Sequence, residues 1–192
     1  MKELYLEPFI ISTKVFDDDR GDFSPLIIKQ QLPDFNIVQV NTVATKSPYV
    51  FRGMHWQEPP YAQAKLLRCT FGKIIDFAVD IRQGSPNYGK SYAFTLNNKN
   101  DWIYIPEGFA HGYLTLPHNL GSTYPTLVEY LINNDYNHES ERGMFMTDKI
   151  HTWIATEMPM GNTKDIIMTN RDFLWPTIDE IKTEFKYEPD EQ

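Results

Sequence analysis

Apolar and polar positions alternate in short runs along most of the chain, and few stretches repeat at a helical period. Phe9–Phe16 is rich in β-formers and stops at the acidic turn Asp17-Asp18-Asp19-Arg20-Gly21. Asn36–Thr45 alternates, with Gln39 and Asn41 on one face. Leu66–Phe71 and Ile74–Ile81 flank Gly72-Lys73, which predicts a tight hairpin. In the second of these runs Ile75, Phe77, Val79 and Ile81 share one face, and Ile74, Asp76, Ala78 and Asp80 the other. Further strands are predicted at Tyr92–Leu96, Trp102–Ile105, Gly112–Leu116 and Thr126–Ile132. Gly84–Gly89 reads as a loop and Asn97–Asp101 as a polar turn. Only Thr177–Phe185 looks helical. The pattern predicts an all-β sandwich or barrel with a short C-terminal helical piece. It predicts a single domain over residues 1–192, with a frayed tail from about 186 to 192.

Composition narrows the partners. Apolar residues make up 41% of 192 residues, enough to bury a core. Formal net charge is -8, which argues against a general nucleic-acid or anionic-membrane surface. A local basic pocket for an anionic ligand remains compatible with it. The first residues carry no signal-peptide pattern, and no apolar run reaches bilayer length. A cytoplasmic protein is therefore expected. The one cysteine, Cys69, excludes an intrachain disulfide, and its apolar flanks predict a buried structural thiol.

Candidate chemistry gathers around Val50-Phe51-Arg52-Gly53-Met54-His55-Trp56-Gln57, with Lys65 ten residues past His55. Among Arg20, Arg52, Lys65, Arg68 and Arg171, arginine suits a two-pronged grip on phosphate and lysine a point charge. Arg20 also fits simple neutralisation of its acidic turn. His55, between Met54 and Trp56, fits a core histidine as well as a base. His111 lies in a glycine-flanked segment, Pro106–Gly112. The five histidines form no H-x-H or H-x-x-x-H pair, so no metal site is expected.

These segments together resemble the dTDP-4-dehydrorhamnose 3,5-epimerase family. The resemblance rests on Asp19-Arg20-Gly21-Asp22-Phe23, Gln39-Val40-Asn41, Arg52-Gly53-Met54-His55-Trp56-Gln57 and Gln63-Ala64-Lys65. It continues through Asp76–Arg82, Ile105–Gly112 and Tyr130…Tyr136…Glu141-Arg142-Gly143. It implies a cupin-type double-stranded β-helix, or jelly roll, that works without metal or cofactor on a dTDP-sugar. It also implies a homodimer, with the N-terminal strand a candidate for exchange.

The resemblance assigns roles as well. His55 would be the base, Asp172 its orienting carboxylate, Tyr130 the acid and Lys65 the stabiliser of an enolate oxygen. Arg20, Phe23, Gln39, Asn41, Arg52, His111, Glu141 and Arg171 would line the pocket, with Tyr136 stacked on the thymine. Dual inversion at C3 and C5 is the leading expectation. C3-only epimerisation, 3,4-ketoisomerisation and non-catalytic binding of a nucleotide sugar are the alternatives.

Overall fold

The alternating runs become twelve strands among the described residues of a computed structural model: 6–26, 32, 34–97, 100–118, 125–158 and 163–188. The first six are β1 (Phe9–Ser12), β2 (Phe16–Asp18), β3 (Gly21–Phe23), β4 (Gln39–Thr45), β5 (Phe51–Gln57) and β6 (Lys65–Phe71). The others are β7 (Lys73–Asp80), β8 (Ser91–Leu96), β9 (Asp101–Ile105), β10 (Phe109–Leu116), β11 (Thr126–Ile132) and β12 (Glu141–Gly143). Two helices follow, α1 (Asp148–Glu157) and α2 (Asn170–Phe173).

Two five-stranded antiparallel sheets, ordered β1-β9-β6-β11-β4 and β12-β5-β10-β7-β8, make the cupin-type jelly roll. A separate hairpin, β2-β3, pairs with neither. The β1 strand joins β9 of its own chain, Phe9 opposite Tyr104. No helix of the described residues is long and apolar enough to cross a membrane.

Apolar faces set the layers. Leu67, Cys69, Ile103, Ile105 and Val128 of one sheet meet Ile74, Ala78, Leu96, Phe109 and Tyr113 of the other in an apolar cluster between the sheets. Burial raises the Cys69 thiol to about 11, leaving it an inert packing group. On the far face of the second sheet, Phe51, Ile75, Phe77, Val79 and Ile81 pack against Ile150 and Ile154 of α1. The two faces foreseen along 74–81 therefore serve two different cores.

Three local expectations are corrected. The expected hairpin at Gly72-Lys73 does not form: β6 pairs with β9 and β11, whereas β7 pairs with β10 and β8. With Gly72 alone between them, the strands turn a corner from one sheet into the other. Thr177–Phe185 makes one turn rather than a helix. Thr177 donates its N–H and hydroxyl to Glu180 Oε2 at 3.0 and 2.8 Å. Buried Glu58 then draws the chain out by accepting the Glu184 N–H at 2.9 Å. The longer helix is α1, capped by Thr147, whose side chain accepts the Ile150 N–H at 3.3 Å. Finally, part of the tail expected to fray is paired: Lys186 bridges Gln83, and the Tyr187 N–H donates to Gln83 O at 2.9 Å. Residues 189–192 and Asn98-Lys99 lie outside the described residues.

Candidate active site

Beside the apolar cluster, with Leu67 and Tyr113 shared between them, a cavity of about 820 Å³ opens between the two sheets. Strand alternation puts Gln39, Asn41 and Val43 of β4, Lys65 and Leu67 of β6, and Tyr130 and Ile132 of β11 on one wall. The facing wall carries Arg52, His55 and Gln57 of β5 and His111 and Tyr113 of β10.

Arg52 and His55 are three residues apart, so a regular strand would point them to opposite faces. The β5–β10 pairing resolves this. His111 pairs with His55 but Tyr113 pairs with Arg52, so β5 carries one extra residue. Gly53 sits in this bulge at φ 135, where a Cβ would come 2.5 Å from Gly112 Cα and 2.8 Å from His111 O. The glycines at 53 and 112 let the strands close, and the bulge turns both functional side chains inward.

Asp172 comes from α2. Thr169 caps that turn, its hydroxyl accepting the Asp172 N–H at 3.1 Å. Asp172 is 3% exposed, and its Oδ1 lies 2.6 Å from His55 Nε2. Burial pushes its carboxyl up, but the His55 hydrogen bond and charge, Thr169 and Arg171 outweigh that and hold it below the ordinary range. An ionised Asp172 fixes the Nε2–H tautomer of His55 and leaves Nδ1 as the basic nitrogen.

Burial lowers Lys65 to about 8, against the opposing pull of Asp76 and Glu141. Neither Lys65 nor Arg52 is ion-paired to a described residue. Burial also raises the phenol of Tyr130, with the charge of Arg52 opposing it. Tyr130 is therefore a protonated donor at neutral pH. At the mouth, Arg171 grips Glu141 with both guanidinium arms at 2.8 and 3.1 Å, and the Tyr136 hydroxyl donates to Glu141 at 3.1 Å. Among the described residues, no group of three or more His, Cys, Asp or Glu is placed to hold a metal.

The architecture and chemistry agree with the comparisons. The sequence profile described as dTDP-4-dehydrorhamnose 3,5-epimerase matches residues 5–180. The dTDP-4-dehydrorhamnose 3,5-epimerase of Shigella flexneri is 38% identical over 165 residues, covering 82% of this chain and 87% of that protein. Its Sinorhizobium fredii counterpart is 33% identical over 183 residues, covering 93% and 88%. The chain belongs to the dTDP-4-dehydrorhamnose 3,5-epimerase family. A solved member from Legionella pneumophila, in complex with dTDP-4-keto-L-rhamnose, superposes with a TM-score of 0.78 at 28% identity. That match covers 95% of this chain and 94% of the other.

Eleven of the thirteen residues that the family resemblance nominates line one cavity: His55, Lys65, Tyr130, Asp172, Gln39, Asn41, Arg52, His111, Tyr136, Glu141 and Arg171. Arg20 and Phe23 do not. They lie on the separate β2-β3 hairpin, Arg20 folded back on Asp18 and Phe23 69% exposed. Arg68, a candidate anion binder by sequence, is buried on the β6 face away from the cavity, where it donates to Glu129 and stacks on Trp102 at 4.7 Å.

Sequence reasoning passed over Asp76. It is fully buried, and its Oδ2 lies 2.8 Å from His111 Nε2. An aspartate flanked by Ile74 and Ala78 on its strand face was the available signal. Ile167 and Met168 were also passed over. They enter the wall because Ile167 bridges Val50 beside β5.

Proposed function

We propose that the chain inverts C3 and C5 of dTDP-4-keto-6-deoxyglucose, through enolates, to give dTDP-4-keto-L-rhamnose. The observation that carries this reading is the convergence of the His55–Asp172 pair, Lys65 and Tyr130 in one cavity. The C4 ketone acidifies the neighbouring C–H bonds, and His55 Nδ1 takes the proton. The Lys65 ammonium stabilises the enolate oxygen as charge develops there. Tyr130, across the cavity from His55, returns a proton to the opposite face, which inverts the centre. Arg52 and Arg171 serve the diphosphate, and Tyr136 at the mouth offers the thymine a stacking surface. Incubation with dTDP-4-keto-6-deoxyglucose and NMR of the product tests the reading. The L-rhamno-configured ketone is expected, and return of unaltered substrate would reject it.

Charge on Lys65 sets the alkaline limit. A lysine lowered to about 8 is protonated below that pH and loses its charge above it. The kcat/KM profile of the free enzyme should therefore fall as pH rises through about 8. A flat profile to pH 10 (roughly the ordinary lysine range) would remove Lys65 from this role.

The reading extends to a cytoplasmic homodimer. Edge strand β4 and the residues before it expose Ile37, Val38 and Val40, and the β2-β3 hairpin exposes Phe16 and Phe23. Such apolar surface favours a second copy. In that arrangement Arg20 and Phe23 reach the partner's cavity rather than their own. Light scattering should give twice the 22.5 kDa chain mass. Mixing the inactive R20A/F23A and H55A proteins should restore activity in hybrid dimers. A monomer, or no restoration, would reject the shared site.

A further inference from the structure

Trp175 stands beside the His55–Asp172 pair with no part in the proton transfers above. Its indole fills a slot that Gly143 leaves open. A Cβ built on Gly143 would come within 2.4 Å of Trp175 Cε2 and Nε1 and 2.7 Å of Cδ1. Gly143 pairs with His55 across β12 and β5, so the indole rests next to the base. The His55 and Trp175 rings meet edge to face, with centroids 6.5 Å apart and planes at 71°. Trp175 Nε1 is buried without a hydrogen-bond partner among the described residues, so the ring is held here by shape. The next residue is anchored too: Pro176 O accepts the Phe145 N–H at 2.8 Å.

One hydrogen bond to Asp172 fixes a single point of the imidazole and leaves its plane free to tilt. A base that must meet C–H bonds at two carbons needs that plane set as well. Arg171 also lies over the Trp175 ring, 5.9 Å from its centroid, but the two-armed contact with Glu141 already holds that guanidinium. Loss of the indole should therefore act on His55 more than on substrate affinity.

We propose that Trp175, seated against Gly143, is a positioning residue that sets the plane of the His55 imidazole. The proposal rests on His55 being the base. The test compares Trp175→Phe, Trp175→Ala, Gly143→Ala and the G143A/W175A double variant of the full chain. It reads kcat, KM and the low-field NMR signal of the imidazole N–H shared with Asp172.

Trp175→Ala should lower kcat about 10- to 100-fold, with KM within about threefold of the parent. It should also broaden the imidazole signal. Trp175→Phe should keep the signal and recover most of the rate. Gly143→Ala should lower kcat by forcing the indole aside. In the double variant the slot is empty, so Gly143→Ala should add less than about twofold to the Trp175→Ala loss. Even if Gly143→Ala alone fails to fold, a folded double variant at the Trp175→Ala rate supports the proposal.

Additive losses in the double variant overturn it. So does a Trp175→Ala protein with parental kcat and an unaltered imidazole signal. The signal is read without turnover. A parent chain that inverts no sugar nucleotide would therefore refute the proposed reaction, while the NMR comparison would still decide the role of Trp175.

Discussion

A His55→Ala protein should keep its fold and its affinity for dTDP but lose about 10³-fold in kcat. His55 is a half-buried side chain at the cavity wall, not part of either apolar cluster. Removing it costs little packing. Proton abstraction has no substitute nearby. His111, the other imidazole in the cavity, is nearly buried and engaged by Asp76 at 2.8 Å. Lys65, lowered to about 8, is largely charged at neutral pH and cannot accept a proton there. The nucleotide-side contacts, Arg171–Glu141 and Tyr136, do not involve His55. Calorimetry with dTDP should therefore show near-parental affinity beside a nearly silent assay. A rate within tenfold of the parent would remove His55 as the base.

Tyr130→Phe should separate exchange from inversion. The variant keeps the ring that packs beside the interior cluster and loses only the hydroxyl. His55 still abstracts and returns protons on its own face, so solvent deuterium enters without inversion. Epimerised product should fall by about 10²-fold or more, because no donor serves the opposite face. Burial keeps the phenol above its usual range, so the parent tyrosine is a donor throughout the working pH. The measurement is product configuration and deuterium content from the same NMR sample. Inverted product at the parental rate would assign the second proton elsewhere, with Tyr113 the neighbouring phenol to examine.

Period-2 alternation made most strands legible, because residues of one parity share a face and most faces meet a core. The two faces of 74–81 were readable for that reason, though each packs into a different core. The pairing of β6 and β7 was not, since a Gly-Lys pair between two apolar runs fits a hairpin turn as well as a corner; long-range pairing with β9 and β11 decides it. The α1 helix was missed although Ile150, Trp153 and Ile154 carry the helical spacing and Thr147 the cap. Conversely, Thr177 and Glu180 carry a helix-start signal that buried Glu58 overrides after one turn.

At the site, residue identity was legible but geometry was not. The spacing of Arg52 and His55 makes sense only with the bulge at Gly53. Asp172 reaches His55 from 117 residues away through a four-residue helix. Arg20 and Phe23 were nominated with the rest, yet the hairpin that holds them pairs with neither main sheet.

On the proposed reaction, one histidine-based cavity deprotonates and inverts two carbons beside a ketone. The most direct measurement is incubation of the pure protein with dTDP-4-keto-6-deoxyglucose in deuterium oxide, followed by proton NMR over time. Deuterium should appear at both C3 and C5, with inversion at both centres. Protium retained at C5 with inversion at C3 alone, or no exchange at either carbon, would contradict that reaction.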